Sequence, residues 1–110
     1  MTINELMIDS HENAVLKGWW DGGARNFGEL LMLMVGELSE AMEEYRTNGL
    51  DGEMIYYKDG KPEGIAVEFA DVLIRMVDTC AAYNIPIEEA LKIKSEFNKT
   101  RSYRHGGKIA

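Results

Sequence analysis

Leu30-Leu31-Met32-Leu33-Met34-Val35-Gly36-Glu37-Leu38-Ser39-Glu40-Ala41 is the stretch that decides how the chain folds. On a wheel of about 100° per residue, Leu30, Leu33, Met34, Glu37, Glu40, Ala41 and Glu44 share one sector. Leu31, Val35, Leu38, Met42 and Tyr45 fill a second, and Glu29, Ser39, Glu43 and Arg46 form the polar face. This is a helical period, expected to run from near Asn26 to about Thr47 and to stop at Asn48-Gly49, where glycine suits a left-handed cap. Glu37 and Glu40 fall with the apolar sector, so both are expected to turn inward. A carboxylate buried there without a partner is costly or is forced to protonate, and the pair therefore calls for a cation.

The same arrangement recurs downstream. A helix is expected from Pro62–Gly64 to about Tyr83, ended by Pro86, which disfavours helix in the residue before it. Ile65, Phe69, Val72, Leu73, Met76, Val77 and Cys80, with Ala70, Ile74 and Ala81, cover most of its circumference, which marks a central helix. Its polar strip is Glu68, Asp71, Arg75 and Asp78. That strip reads either as a solvated face or, with Glu68 and Asp71 three residues apart as Glu37 and Glu40 are, as the second half of a metal site.

Working outward, Ile3, Leu6, Met7, Ala14 and Val15 recur at helical spacing, and Gly18 gives the stop. Glycines make a loop of Gly18-Trp19-Trp20-Asp21-Gly22-Gly23; its two tryptophans either close the core or offer a face to a nucleobase. Residues 50–62 read as a connector with a short loop or small β-ribbon, because Asp59-Gly60 is a hairpin-turn signal. A fourth helix is expected from Pro86 to about Tyr103. It begins apolar at Ile87, Ala90 and Leu91 and turns basic through Lys94, Asn98 and Arg101, with a flexible end after Arg104-His105. The fold expected is all-α: one domain over residues 1–110, a bundle of about four helices.

Composition narrows the function. At 110 residues the chain is short for an isolated core, so oligomerisation is expected to complete it. Net charge is −7, against a sequence-independent grip on nucleic acid. Residues 1–85 carry −10 and residues 86–110 carry +3, which suits a phosphate-bearing ligand that arrives with metal. No basic leader opens the chain and no apolar run nears the ~20 residues of a membrane span; a cytoplasmic location is expected, with no membrane partner. The single cysteine, Cys80, lies in an apolar run and is expected to be a buried thiol.

Hard divalent cations take oxygen ligands, and Mg²⁺ usually needs one or two carboxylates with water and phosphate oxygens. Four carboxylates exceed that need, so either more than one ion is held or one carboxylate orients or deprotonates a water. Lys94 and Arg101 are then candidates for phosphates, and Asn98 for a sugar, base or phosphate oxygen. A di-iron bundle would need Glu-x-x-His on two helices, and neither His11 nor His105 stands three residues after a glutamate.

The pairs Glu37/Glu40 and Glu68/Asp71, set in Leu30–Ala41 and Val67–Ile74 and followed by Lys94, Asn98 and Arg101, resemble the MazG-like all-α nucleoside triphosphate pyrophosphohydrolases over about Asn26 to Tyr103. The resemblance implies that Glu37, Glu40, Glu68 and Asp71 bind Mg²⁺, with Mn²⁺ as a substitute. It implies cleavage of the α–β anhydride of a nucleoside triphosphate, giving monophosphate and pyrophosphate. It also implies a homodimer or homotetramer. Gly36 stands where many relatives carry a further glutamate. The alternative is a non-catalytic helical interaction module with an acidic surface.

Overall fold

Thr2 opens the first helix, α1 (Ile3–Leu16), with a reciprocal cap: its hydroxyl accepts from the Glu5 amide at 3.0 Å, and its own amide donates to Glu5 Oε1 at 3.0 Å. Asn26 caps α2 (Phe27–Asn48), its Oδ1 accepting from the Glu29 amide at 3.1 Å. Caps of this kind stabilise a helix by about 1 kcal/mol each. These contacts belong to a computed structural model that describes residues 1–23 and 25–101. The expected last turn to Tyr103, and the tail with Arg104 and His105, lie outside the described residues.

The connector does form the small ribbon: β1 (Tyr56–Lys58) pairs antiparallel with β2 (Lys61–Glu63), Tyr56 opposite Glu63 and Lys58 opposite Lys61. Asp59 and Gly60 both take positive φ, 55° and 78°, as a two-residue type I′ turn requires. At Gly64 (φ 119°) a Cβ would collide with the Met54 carbonyl oxygen, and Ala66 donates its amide to that oxygen at 3.2 Å. Glycine here lets the chain double back closely enough to start α3 (Ile65–Ala82) directly after the hairpin.

Helix α3 is central, as its nearly continuous apolar surface predicts: α1 and α2 both pack on it. Leu30 and Val77 are fully buried, and Ala14, Ala41 and Cys80 are buried as well. Burial pushes the Cys80 thiol up from its ordinary value. The fourth helix, α4 (Ile87–Thr100), differs from a bundle partner. It leans on α1, sharing with Ile3 an open groove lined by Leu91 and Lys92, and none of its residues is buried.

The second apolar sector of α2 faces outward, with Leu31 43%, Val35 54%, Leu38 51% and Met42 55% exposed. Phe69 and Leu73 of α3 and Phe97 of α4 are exposed as well. No helix among the described residues is long and apolar enough to cross a membrane.

Candidate metal centre

Glu37, Glu68 and Asp71 each present a carboxylate oxygen within 4.8 Å of the others. Glu37 comes from the middle of α2's inward sector, and Glu68 and Asp71 from consecutive turns of α3. Glu68 is buried, Glu37 half-buried and Asp71 exposed at the rim.

The electrostatics carry the mark of crowded like charge. Burial, then the charges of Asp71, Glu37, Glu40 and Glu63, raises Glu68 above the usual carboxylate value. Asp71 is also raised, by partial desolvation first and by Glu37 second, against the opposing pull of Arg75 and Lys61. Holding these groups ionised therefore costs free energy that a cation would offset.

Glu40 is the expected inward residue that the fold turns out. It is exposed and stands outside the trio, yet near enough for its charge to reach Glu68. Three residues of helix turn about 60° short of a full circle, so with Glu37 centred on α3, Glu40 falls at the edge of that sector.

Arg75 is a residue of the site that sequence spacing did not single out. Its Nη2 and Nε donate to Glu37 Oε1 at 2.9 Å and 3.2 Å, and its guanidinium carbon lies 4.6 Å from the Trp19 ring centroid. The signal was its place on the strip with Glu68 and Asp71; what spacing could not reveal is the partner on α2, 38 residues away.

Beside the trio lies a cleft of about 250 Å³, lined by Ser10, Asn13, Trp19, Glu37, Asp71 and Arg75 among others. Trp19 and Trp20 take different places. Trp19 stands in this cleft, 44% exposed. Trp20 donates its indole N–H to Asp78 at 3.0 Å, beside His11 Nδ1 at 2.8 Å from the same carboxylate, and packs edge-on to Tyr83. Trp20 thus pins the α1–α2 loop to α3, while Trp19 is left to the cleft. Of the strip on α3, Arg75 and Asp78 are paired across helices and Glu68 is buried, while Asp71 stays exposed.

Lys94, Asn98 and Arg101 are not brought to this cleft. They lie along exposed α4, Lys94 Nζ 4.9 Å and the Arg101 guanidinium carbon 5.7 Å from the Phe97 ring centroid. The turn through Asn84 (φ 54°), Ile85 and Pro86 sends α4 toward α1 instead of across the acidic face. Comparison of the chain with protein-family models, with curated proteins and with solved structures returned no match.

Proposed function

We propose that this chain is a Mg²⁺-dependent nucleoside triphosphate pyrophosphohydrolase. The observation that carries the reading is the convergence of the Glu37, Glu68 and Asp71 oxygens within 4.8 Å, beside a cleft that also holds Arg75 and Trp19. An oxygen-only donor set suits hard divalent cations, and the three carboxylates are the residues that hold Mg²⁺, or Mn²⁺ in its place. When bound, the ion neutralises charge on the phosphates.

The chain's other residues complete the site. Glu40, exposed beside the trio, accepts a proton from the attacking water. The water oxygen bonds to a phosphorus flanking the α–β bridge, the bridging P–O bond breaks, and monophosphate and pyrophosphate separate. Trp19 offers its face to the base. Arg75, now bonded to Glu37, would be free to donate to a phosphate oxygen if Glu37 held an ion.

The apolar stripe of α2 supports a homodimer or homotetramer. A cleft of about 250 Å³ falls below the ~300–1,000 Å³ of pockets that enclose a small molecule, so a neighbouring copy serves as the missing wall. A phosphate role for Lys94, Asn98 and Arg101 requires such a copy, because within one chain they line no part of the cleft.

The test is a panel of standard and modified NTPs and dNTPs with Mg²⁺, read as pyrophosphate released. Absence of release from every member would overturn the reading. The exposed α2 stripe also fits a non-catalytic interaction module, and calorimetry separates the two: an enzyme binds a non-hydrolysable nucleotide more tightly with Mg²⁺, whereas the module shows no such coupling.

A further inference from the structure

Arg25 is a half-buried cation in the part of the chain, residues 1–85, that carries −10, yet none of the ion pairs among the described residues includes it. It is seated on aromatic rings instead. Its guanidinium carbon lies 5.2 Å from the ring centroid of Trp19, the wall of the acidic cleft, and 6.0 Å from that of Trp20. We propose that Arg25 binds the phosphate chain of the substrate, held on Trp19 with its N–H edge free to donate. This rests on the cleft being a nucleoside triphosphate site.

A guanidinium resting on an aromatic ring is held by its flat face. Its N–H groups stay in the plane of the fork, where two of them at a time match the oxygens of a phosphate. Arg75 reaches the same ring, 4.6 Å from its centroid, but commits its fork to Glu37 Oε1. Of these two cations on Trp19, Arg25 is the one whose donors no side chain takes among the described residues.

The seat is fixed from α3. The Tyr83 hydroxyl donates to the Arg25 carbonyl oxygen at 2.8 Å, and Phe27, two residues on, packs edge-on against the Tyr83 ring with centroids 5.0 Å apart. Trp20, the second ring beside the guanidinium, is itself held through its indole N–H to Asp78. Immobilising a long, rotamer-rich side chain costs free energy when a ligand binds. An arginine already placed on two rings has less of that freedom to lose.

Arg25 lines no part of the cleft of about 250 Å³. It lines a groove of about 780 Å³ at the start of α2, with Asn26, Gly28 and Leu33 among others. Leu33 stands one turn before Glu37 on the inward sector of α2, so groove and cleft follow one another along the helix. Trp19 and Arg25 meet at the step between them. A triphosphate held at Glu37, Glu68 and Asp71 therefore meets Arg25 as it leaves the cleft, whereas Lys94 and Arg101 of the same chain lie along α4.

The experiment is calorimetry with inorganic tripolyphosphate in saturating Mg²⁺, a probe that carries the phosphate chain and no nucleoside. The unaltered chain is expected to bind it, and Arg25→Gln to bind it about tenfold or more weakly, the scale of one lost charged hydrogen bond. Arg25→Lys, which keeps the charge and loses the fork, recovers part of the affinity. Arg46→Gln removes the same charge from an exposed pair with Glu43 and should leave affinity unchanged, with circular dichroism verifying that every variant is folded. No binding by the unaltered chain, equal affinity in Arg25→Gln, or an equal loss in Arg46→Gln would overturn the proposal; a lower Tm in Arg25→Gln at equal affinity would mean that Arg25 only staples the two rings. Binding that depends on Arg25, without pyrophosphate release from any nucleotide, would sink the hydrolase reading alone. Release with KM unchanged in Arg25→Gln would sink the phosphate role alone.

Discussion

Arg75 Nη2 lies 2.9 Å from Glu37 Oε1, and the same guanidinium stands over Trp19, so one cation ties a candidate metal ligand to the aromatic wall of the cleft. The pair is half-buried, with the two side chains 22% and 20% exposed. It holds α2 to α3 at the level of the acidic trio and neutralises one of its charges.

Arg75→Met removes that charge. Without divalent ions the variant is expected to lose about 1–3 kcal/mol of stability, the scale of a charged hydrogen-bonded partner taken from a buried group. Mg²⁺ should restore part of the loss and bind more tightly than to the unaltered chain, since its competitor for Glu37 is gone. Thermal melts in EDTA and in Mg²⁺ test this; an equal loss in both would deny the exchange.

The pH dependence follows from Glu68 and Asp71. Both are raised above their ordinary values of 4.5 and 3.8, so between those values and the raised ones the folded chain binds more protons than the unfolded. Stability of the metal-free protein from these groups therefore rises as pH falls through the raised values, and is lost as pH climbs back toward neutral. Glu68→Gln should flatten this trend in melts recorded in EDTA. Metal affinity should run the other way, weakening on acidification, because the ligands must be ionised.

Trp19 and Trp20 should separate binding from stability. Trp19→Ala is expected to raise KM roughly tenfold, within the ~1–3 kcal/mol of one stacked base, with little change in Tm. Trp20→Phe deletes the N–H that Asp78 accepts and should cost about 1–2 kcal/mol of stability with KM nearly unchanged. Steady-state kinetics beside thermal melts reads both.

Gly36 is exposed in the middle of α2, and a Cβ there would meet nothing within 4 Å. No packing demand explains the glycine. Gly36→Ala is expected to stabilise the chain by about 0.5–1 kcal/mol, visible as a Tm rise of a few degrees with pyrophosphate release retained.

Much of this was legible in the chain. The period through Leu30–Ala41 fixed α2, the unbroken apolar surface of Ile65–Ala82 marked α3 as central, and Asp59-Gly60 announced the hairpin turn. Glu37, Glu68 and Asp71, expected together from their spacing, do bring their carboxylates together. What spacing could not carry was how helices meet. The outward turn of Glu40 depends on which residue of α2 is centred on α3, and the Arg75–Glu37 pair depends on the level at which the two cross. The separation of Lys94, Asn98 and Arg101 from the cleft follows from the direction set at Asn84–Pro86. Trp19 and Trp20 take different places because Asp78, on another helix, accepts from only one of them.

The central claim is that Glu37, Glu68 and Asp71 hold the ion that drives hydrolysis. Its most direct test is pyrophosphate release with Mg²⁺ from the best substrate of the panel, comparing the unaltered chain with Asp71→Asn, each verified as folded. The account predicts release by the former and a loss of at least about a hundredfold in the latter, the order by which removing one charge-stabilising group lowers a rate. Full activity in Asp71→Asn would contradict it.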